Sequence, residues 1–458
     1  MRILLCLVLL AHAAPPGVAA RQRSRAGAPA ATAADVYAVI DEVDRVAARS
    51  ALWPGFDPRR VPLAIFNGET TLLFRHPNPP AEFVSLSSRQ GVWAFAGRHE
   101  SVTANAPAEL NGVMAATAML TPDRRLTLRE RAALVIHETF HVFQRERHKD
   151  WTADELELFV YPFEDADALR LRRLETLALA RAEAARGKGA AACWASAALK
   201  LRAERFARTP AGSAAYERGT ELNEGLASYV EALAAGRTAR TGLPAEDFDA
   251  GKVRQRAYAT GRALALLLDR FGAGWKQKLE GGDRRPLDEL LASSLPAPAA
   301  ARCEMAPDDL RNAAERARKD VGELTARREQ LRRDFLARPG WKLEVVASEG
   351  APLFPQGFDP LNVERVGPRE VLHTRYLKLG GGAGTIELMN RHSLTEGAGE
   401  HPLFNGVRRL TVTGLASEPA VTESGGKTTV TSENLKAEFK GAEVTRSGQT
   451  LLVRLNKF

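Results

Sequence analysis

Long apolar runs, clustered cysteines and concentrated charge of one sign are all missing from this chain, and each absence removes a class of protein. The leading apolar run, Ile3 to Leu10, is too short to cross a bilayer as a helix, and no later run is longer. No transmembrane segment is expected. Cysteine occurs three times in 458 residues. Cys6 lies inside the leading run without the small residues that precede a lipobox cysteine. Cys193 and Cys303 remain as one pair that the sequence cannot show to meet, and neither reads as a nucleophile. With 45% apolar residues, a chain of this length has core enough to fold without crosslinks. The formal charge of +8 is dispersed: the densest basic stretch, Arg311 to Arg333, carries Glu315, Asp320, Glu323 and Glu329 among its arginines. No basic patch is interleaved with aromatics, so nucleic acid is not an expected partner. Weak attraction to anionic envelope surfaces is what the charge leaves. Gly380 to Gly384 lacks the Lys-Ser/Thr and helix of a phosphate loop and reads as a turn. There is no repeat of fixed period.

What is present starts with Met1-Arg2, the apolar run, then Ala11-His12-Ala13 and Val18-Ala19-Ala20, the layout of a secretory signal with two candidate cleavage points. A signal over 1–20 and a flexible lead over 21–33 predict a secreted or periplasmic protein. A helix from about Ala34 to Ser50 places Val36, Ile40, Val43 and Val46 on one face. Strand-like runs follow at Leu63 to Phe66, Thr70 to Phe74, Gly91 to Phe95 and Val113 to Leu120, with a hairpin signal at Asn67-Gly68. From Leu128 to Leu336 the pattern is almost wholly helical, ending in an amphipathic stretch from about Asp308. After Pro339-Gly340 it alternates, at Lys342 to Val346, Val371 to Leu377, Thr385 to Leu388, Arg409 to Thr413, Lys427 to Thr431, Leu435 to Phe439 and Leu451 to Leu455. The fold class is therefore α+β: a mainly helical domain with a small N-terminal sheet over 34–300, a helical connector over 301–338, and an all-β, sandwich-like domain over 339–458. His373, His392 and His401 lack metal-ligand spacing and read as surface or loop residues.

The helical part contains His137-Glu138-Thr139-Phe140-His141, and imidazoles four positions apart on a helix share a face and can grip one ion. Thr127 with Glu130 forms a capping box that starts this helix, predicted to run to about His148. Leu134, Val135, Ile136, Phe140, Val142 and Phe143 spread around its circumference, which marks a buried helix. Two buried imidazoles and a carboxylate need partners, and a divalent cation supplies one to all three. The alternative is a pair of core histidines satisfied by backbone carbonyls.

A hydrolytic zinc site takes three protein ligands and leaves one position open. Glu221-Leu222-Asn223-Glu224-Gly225-Leu226-Ala227-Ser228-Tyr229 lies in a helix predicted over about Ala214 to Ala235. With the first motif, this stretch resembles the gluzincin metallopeptidases, which include thermolysin and the aminopeptidase-N-like enzymes. The resemblance implies Glu224 as third ligand to one Zn2+, Glu138 as general base, and a ligand-orienting role for Ser228. It further implies a Tyr or His on a later helix as oxyanion donor, for which Tyr258 is the candidate, with Tyr229 and Tyr216 as rivals. Periodicity by itself gives a different picture. Glu217, Glu221, Glu224, Ser228 and Glu231 share one face, the ordinary look of a half-exposed helix, and Glu221 stays open as an alternative ligand.

Two departures bear on substrate. His141 and Glu224 stand 224 − 141 = 83 positions apart, so a helical insertion over about 166–208 must fill a gap that is short in the aminopeptidases. Gly112-Val113-Met114-Ala115-Ala116 resembles their amine-binding strand motif but has Ala115 where the acid should be, which disfavours an aminopeptidase. The expectation is a zinc endopeptidase acting on peptides or unfolded protein, with the last strand of the small sheet pairing to an extended substrate. The alternatives are a zinc amidase acting on cell-wall material, and an envelope-binding protein whose β domain does the work over a non-catalytic metal fold.

Overall fold

The computed structural model describes residues 32–49, 51–120, 126–236, 243–244, 247–296, 303–359 and 362–455; the expected signal and most of the flexible lead lie outside the described residues. The chain divides into two compact units, one of residues up to Asp154 together with Ala168–Ala313, the other of Glu155–Asp167 with Ala314–Phe458. Nothing in the sequence pattern announced that Glu155–Asp167 groups with the C-terminal residues.

In the first unit α1 (Ala33–Arg49) buries Val36, Ile40, Val43 and Val46, the face its apolar spacing dictates. A mixed sheet follows, built of β1 (Leu63–Phe66), β2 (Thr70–Phe74), β3 (Val84–Ser85), β4 (Val92–Ala96), β5 (Ala106–Leu110) and β6 (Val113–Met119) in the order β3-β4-β2-β1-β6-β5. Asn67 makes the β1–β2 turn by accepting from the N–H groups of Glu69 and Thr70 at 3.0 and 2.8 Å, while Gly68 takes φ +107°. β6 is paired on both sides, parallel to β1 and antiparallel to β5. The strand expected to pair with an extended substrate is therefore interior, and the edge beside it is β5, which its Pro and Ala content concealed.

One face of the sheet, with Ala116, Ala118 and Leu120, joins the main core against α2 (Leu128–Arg147). The other face, with Ala64, Leu73, Phe83 and Ala115, closes a smaller core. The rest of the unit is helical: α3 (Ala166–Ala184), α4 (Lys188–Phe206), α5 (Ala211–Thr220), a π-turn (Glu221–Gly225), α6 (Leu226–Ala235), α7 (Val253–Phe271), α8 (Trp275–Glu280), α9 (Leu287–Ser294) and the start of α10 (Pro307–Leu336). Cys193 on α4 and Cys303 form a disulfide, Cα atoms 5.7 Å apart, closing a loop across 110 positions. Among the described residues no helix is long and apolar enough to cross a membrane.

Past α10 a seven-stranded and a six-stranded sheet share one core, in which Leu343, Val345 and Val412 of the first meet Leu379, Ile386 and Ala437 of the second. The fold is α+β with an all-β C-terminal region. The run read as one strand over Val371 to Leu377 is two: Glu370–His373 belongs to the larger sheet and Tyr376–Gly381 to the smaller.

His373 ends the first of these fully buried, not on the surface. Its Nε2 is 3.1 Å from Thr395 Oγ1, whose hydroxyl donates to Val371 O, and its Nδ1 has no partner among the described residues. Burial drives its pKa down to about 3. Above pH 6.5 folded and unfolded forms are both neutral there. Below it the unfolded chain takes up a proton that the folded one refuses, so stability falls with pH until about pH 3, by at most about 5 kcal/mol. We expect the unfolding free energy of the C-terminal unit to fall more steeply in wild type than in His373→Gln, by up to about 1.4 kcal/mol per pH unit between pH 6 and 4. Equal slopes would clear His373 of any part in acid unfolding.

Candidate metal centre

α2 begins at a complete capping box: Thr127 Oγ1 accepts from the Glu130 N–H at 3.2 Å, and the Glu130 carboxylate accepts from the Thr127 N–H at 2.9 Å. Its middle is packed on all sides, leaving His137 and His141 each 8% exposed. The Nε2 atoms of the two rings lie 3.1 Å apart. What each ring does at Nδ1 explains that approach. His137 Nδ1 is 3.1 Å from Glu231 Oε2, and His141 Nδ1 is 2.8 Å from Gln144 Oε1. The Gln144 amide cannot be turned over, because its Nε2 donates to the carbonyls of Leu222 and Asn223 at 3.1 and 2.9 Å. Both Nδ1 atoms thus carry hydrogen, assigned from these partners, and both Nε2 lone pairs aim at one place.

Glu224 completes the group. Its Oε2 lies 3.1 Å from His141 Nε2 and 3.6 Å from His137 Nε2. Donors about 2.0–2.1 Å from one tetrahedral ion sit about 3.3 Å from each other, so these separations fit a single centre. The buried set His137, His141 and Glu224 can hold a metal ion. Its electrostatics agree. Burial opposes charge on His137, yet Glu224 and Glu231 push its pKa well above the ordinary imidazole value, and burial of Glu224 is outweighed by the two imidazoles, which hold its carboxyl well below the usual range. The pocket favours positive charge at its centre.

Periodicity could not separate Glu224 from Glu221, because in an unbroken α-helix residues three apart share a face. The expected helix over Ala214 to Ala235 is interrupted by the π-turn, and that extra residue turns the two carboxylates apart. Glu221 faces away from the imidazoles and accepts from Arg202 at 2.7 and 2.6 Å and from the Thr260 hydroxyl at 2.6 Å. Nor is the helix half-exposed: Glu217 and Glu221 are buried, and so are Leu226 and Tyr229.

α7 crosses the π-turn where Gly225 meets Gly261, and a Cβ on Gly261 would lie 2.7 Å from Gly225 Cα. That crossing brings Tyr258 beside the group, its ring stacked on His137 at 6.4 Å between centroids. Arg254, one turn earlier, donates to Glu224 Oε1 at 2.8 Å and lies 3.3 Å from the Tyr258 hydroxyl. Burial and the Glu224 charge push the Tyr258 pKa up, so its hydroxyl keeps its proton. Of its rivals, Tyr229 donates to Asp269 at 2.5 Å, and Tyr216 is buried close enough to feel both Glu224 and Tyr258. Glu138 takes no hydrogen bond from any described residue. Burial pushes its carboxyl up, against the pull of His137 and His141. At Nδ1 the partner of His137 is Glu231, on the turn after Ser228, and the contact of Gln144 with His141 carried no sequence signal beyond its place three residues after that ring.

The chain matches no protein-family model, no curated protein and no solved structure. What bears on function is the pair of motifs and the geometry of the buried site. That geometry predicts that Glu231→Gln and Gln144→Ala each weaken divalent-metal binding by about 10- to 100-fold without unfolding the protein, measured by chelator competition. Wild-type affinity in both would show that the rings are oriented by something else.

Proposed function

We propose that this protein is a secreted or periplasmic zinc-dependent peptidase, an endopeptidase rather than an aminopeptidase, with His137, His141 and Glu224 as ligands to one Zn2+. The observation that supports this best is the convergence of two imidazole lone pairs and one carboxylate oxygen, with the uncommitted carboxylate of Glu138 carried on the same helix. Two His and one Glu is a donor set of hydrolytic zinc, which keeps a fourth position open. A purely structural site would fill that position and would have no use for Glu138. When bound, zinc would supply Lewis acidity, enough to bring the pKa of a water down to about 7.

The chain's own groups do the remaining work. Glu138 takes the proton of the attacking water and returns it to the leaving amine, a transfer suited to a carboxyl raised by burial. Tyr258 donates its hydroxyl hydrogen to the carbonyl oxygen as negative charge develops there. Arg254 anchors the far oxygen of Glu224, leaving Oε2 for the ion. Ala115, buried in the smaller core, offers no carboxylate for a substrate amine, which is why an endopeptidase is favoured over an aminopeptidase.

One observation favours the amidase reading as runner-up. At the sheet edge Pro107 offers no N–H, and its carbonyl already accepts from Arg145 at 3.3 Å, which shortens the ladder an extended peptide could form on β5. The test is hydrolysis of unfolded protein and of cell-wall amides, side by side, before and after zinc removal and with Glu138→Gln. Zinc-dependent cleavage of protein supports the peptidase; cleavage of wall amides alone replaces it with the amidase; no zinc-dependent hydrolysis of either removes both.

A further inference from the structure

The insertion between the two motifs holds a fully buried lattice of ion pairs that the chemistry above does not use. On α3, Glu175 accepts from Arg202 and Arg205 of α4, each at 2.9 Å. Arg202 then spans to Glu221 with its two remaining nitrogens, and Thr260 of α7 caps the same carboxylate. Arg202, Glu175 and Glu221 are each no more than 2% exposed. Buried ion pairs are a poor means of stabilising a fold, since apolar residues of similar volume serve as well or better. A π-turn is itself unfavourable and persists where its surroundings over-determine it. Other arms of the lattice run through Arg205 and Arg256 to Glu217 and Asp247, and one arm ends on the first residue of that turn, three positions before Glu224.

We infer that the lattice is a positioning device for the metal ligand: Arg202 and Thr260 act as positioning residues that clamp Glu221, hold the π-turn open, and so deliver the Glu224 carboxylate to the two imidazoles. On this account the long stretch between His141 and Glu224 supplies the third ligand with its mount. The inference rests on the metal reading given above, and it concerns affinity, not turnover.

Arg202→Met alone leaves Glu221 buried without its cation and invites misfolding, so two other variants carry the test. Arg202→Met/Glu221→Met removes one charge of each sign, and Thr260→Val removes a single hydrogen bond. Zn2+ affinity is read by competition with a chromophoric chelator, and melting temperature by circular dichroism. We expect the double variant to melt near wild type yet to bind Zn2+ at least tenfold more weakly, and Thr260→Val to bind it about threefold more weakly. Wild-type affinity in a folded double variant overturns the inference. Should the double variant not fold, wild-type affinity in Thr260→Val overturns it. A wild-type protein that binds Zn2+ but hydrolyses nothing sinks the peptidase reading and leaves this inference standing.

Discussion

Glu138→Gln is expected to lower kcat by about 10²- to 10⁴-fold while leaving zinc content unchanged. Gln keeps the size and polarity of the side chain and loses only its ability to take a proton. The carboxyl is buried but accepts no hydrogen bond from a described residue, so the substitution strands no partner, and the ligand atoms of His137, His141 and Glu224 keep their own supports. Metal stoichiometry and melting temperature should therefore match wild type, and the loss should fall on kcat more than on KM. Equal turnover by the two proteins, with zinc bound in both, would take Glu138 out of the mechanism.

Gly261→Ala should cost about 1–3 kcal/mol of stability and weaken zinc binding at least tenfold. The added methyl would lie 2.7 Å from Gly225 Cα, 2.8 Å from Glu221 O and 2.9 Å from Glu221 Cα, all backbone atoms that no rotamer change can move. Either α7 retreats, taking Tyr258 and Arg254 from Glu224, or the π-turn shifts and takes Glu224 from the imidazoles. Gly322 is the control: it lies within α10, and a methyl added there would meet no described atom within 4 Å, so Gly322→Ala should stabilise by about 0.5–1 kcal/mol. Wild-type zinc affinity in Gly261→Ala would mean that the crossing does not set the ligand geometry.

Much of the site was legible because its chemistry is local. His137, Glu138 and His141 sit on one helix whose start is written in Thr127 and Glu130, and four-residue spacing on a helix fixes a shared face wherever that helix lies. Glu224 was legible only through the resemblance of its surrounding residues, since α-helical periodicity groups it with Glu217 and Glu221 on a face that should be wet. The interior strand β6, the edge strand β5 and the split of Val371 to Leu377 between two sheets were not legible, because alternation marks which residues are buried but not which strand is the neighbour.

By itself the sequence determined the succession of a small sheet, a long helical stretch and a strand-rich C-terminal stretch, the capped helix and the pair of imidazoles, since each follows from interactions within about a turn of the chain. Only the tertiary structure decided that Glu224 turns to the imidazoles and Glu221 to Arg202 and Thr260, that Glu231 and Gln144 meet the two rings at Nδ1, and that arginines from the insertion close on Glu175 and Glu221. Such assignments depend on which groups meet across tens of residues of intervening chain. In a buried setting those meetings, not helical phase, decide whether a carboxylate finds a cation, a hydroxyl or a pair of imidazoles.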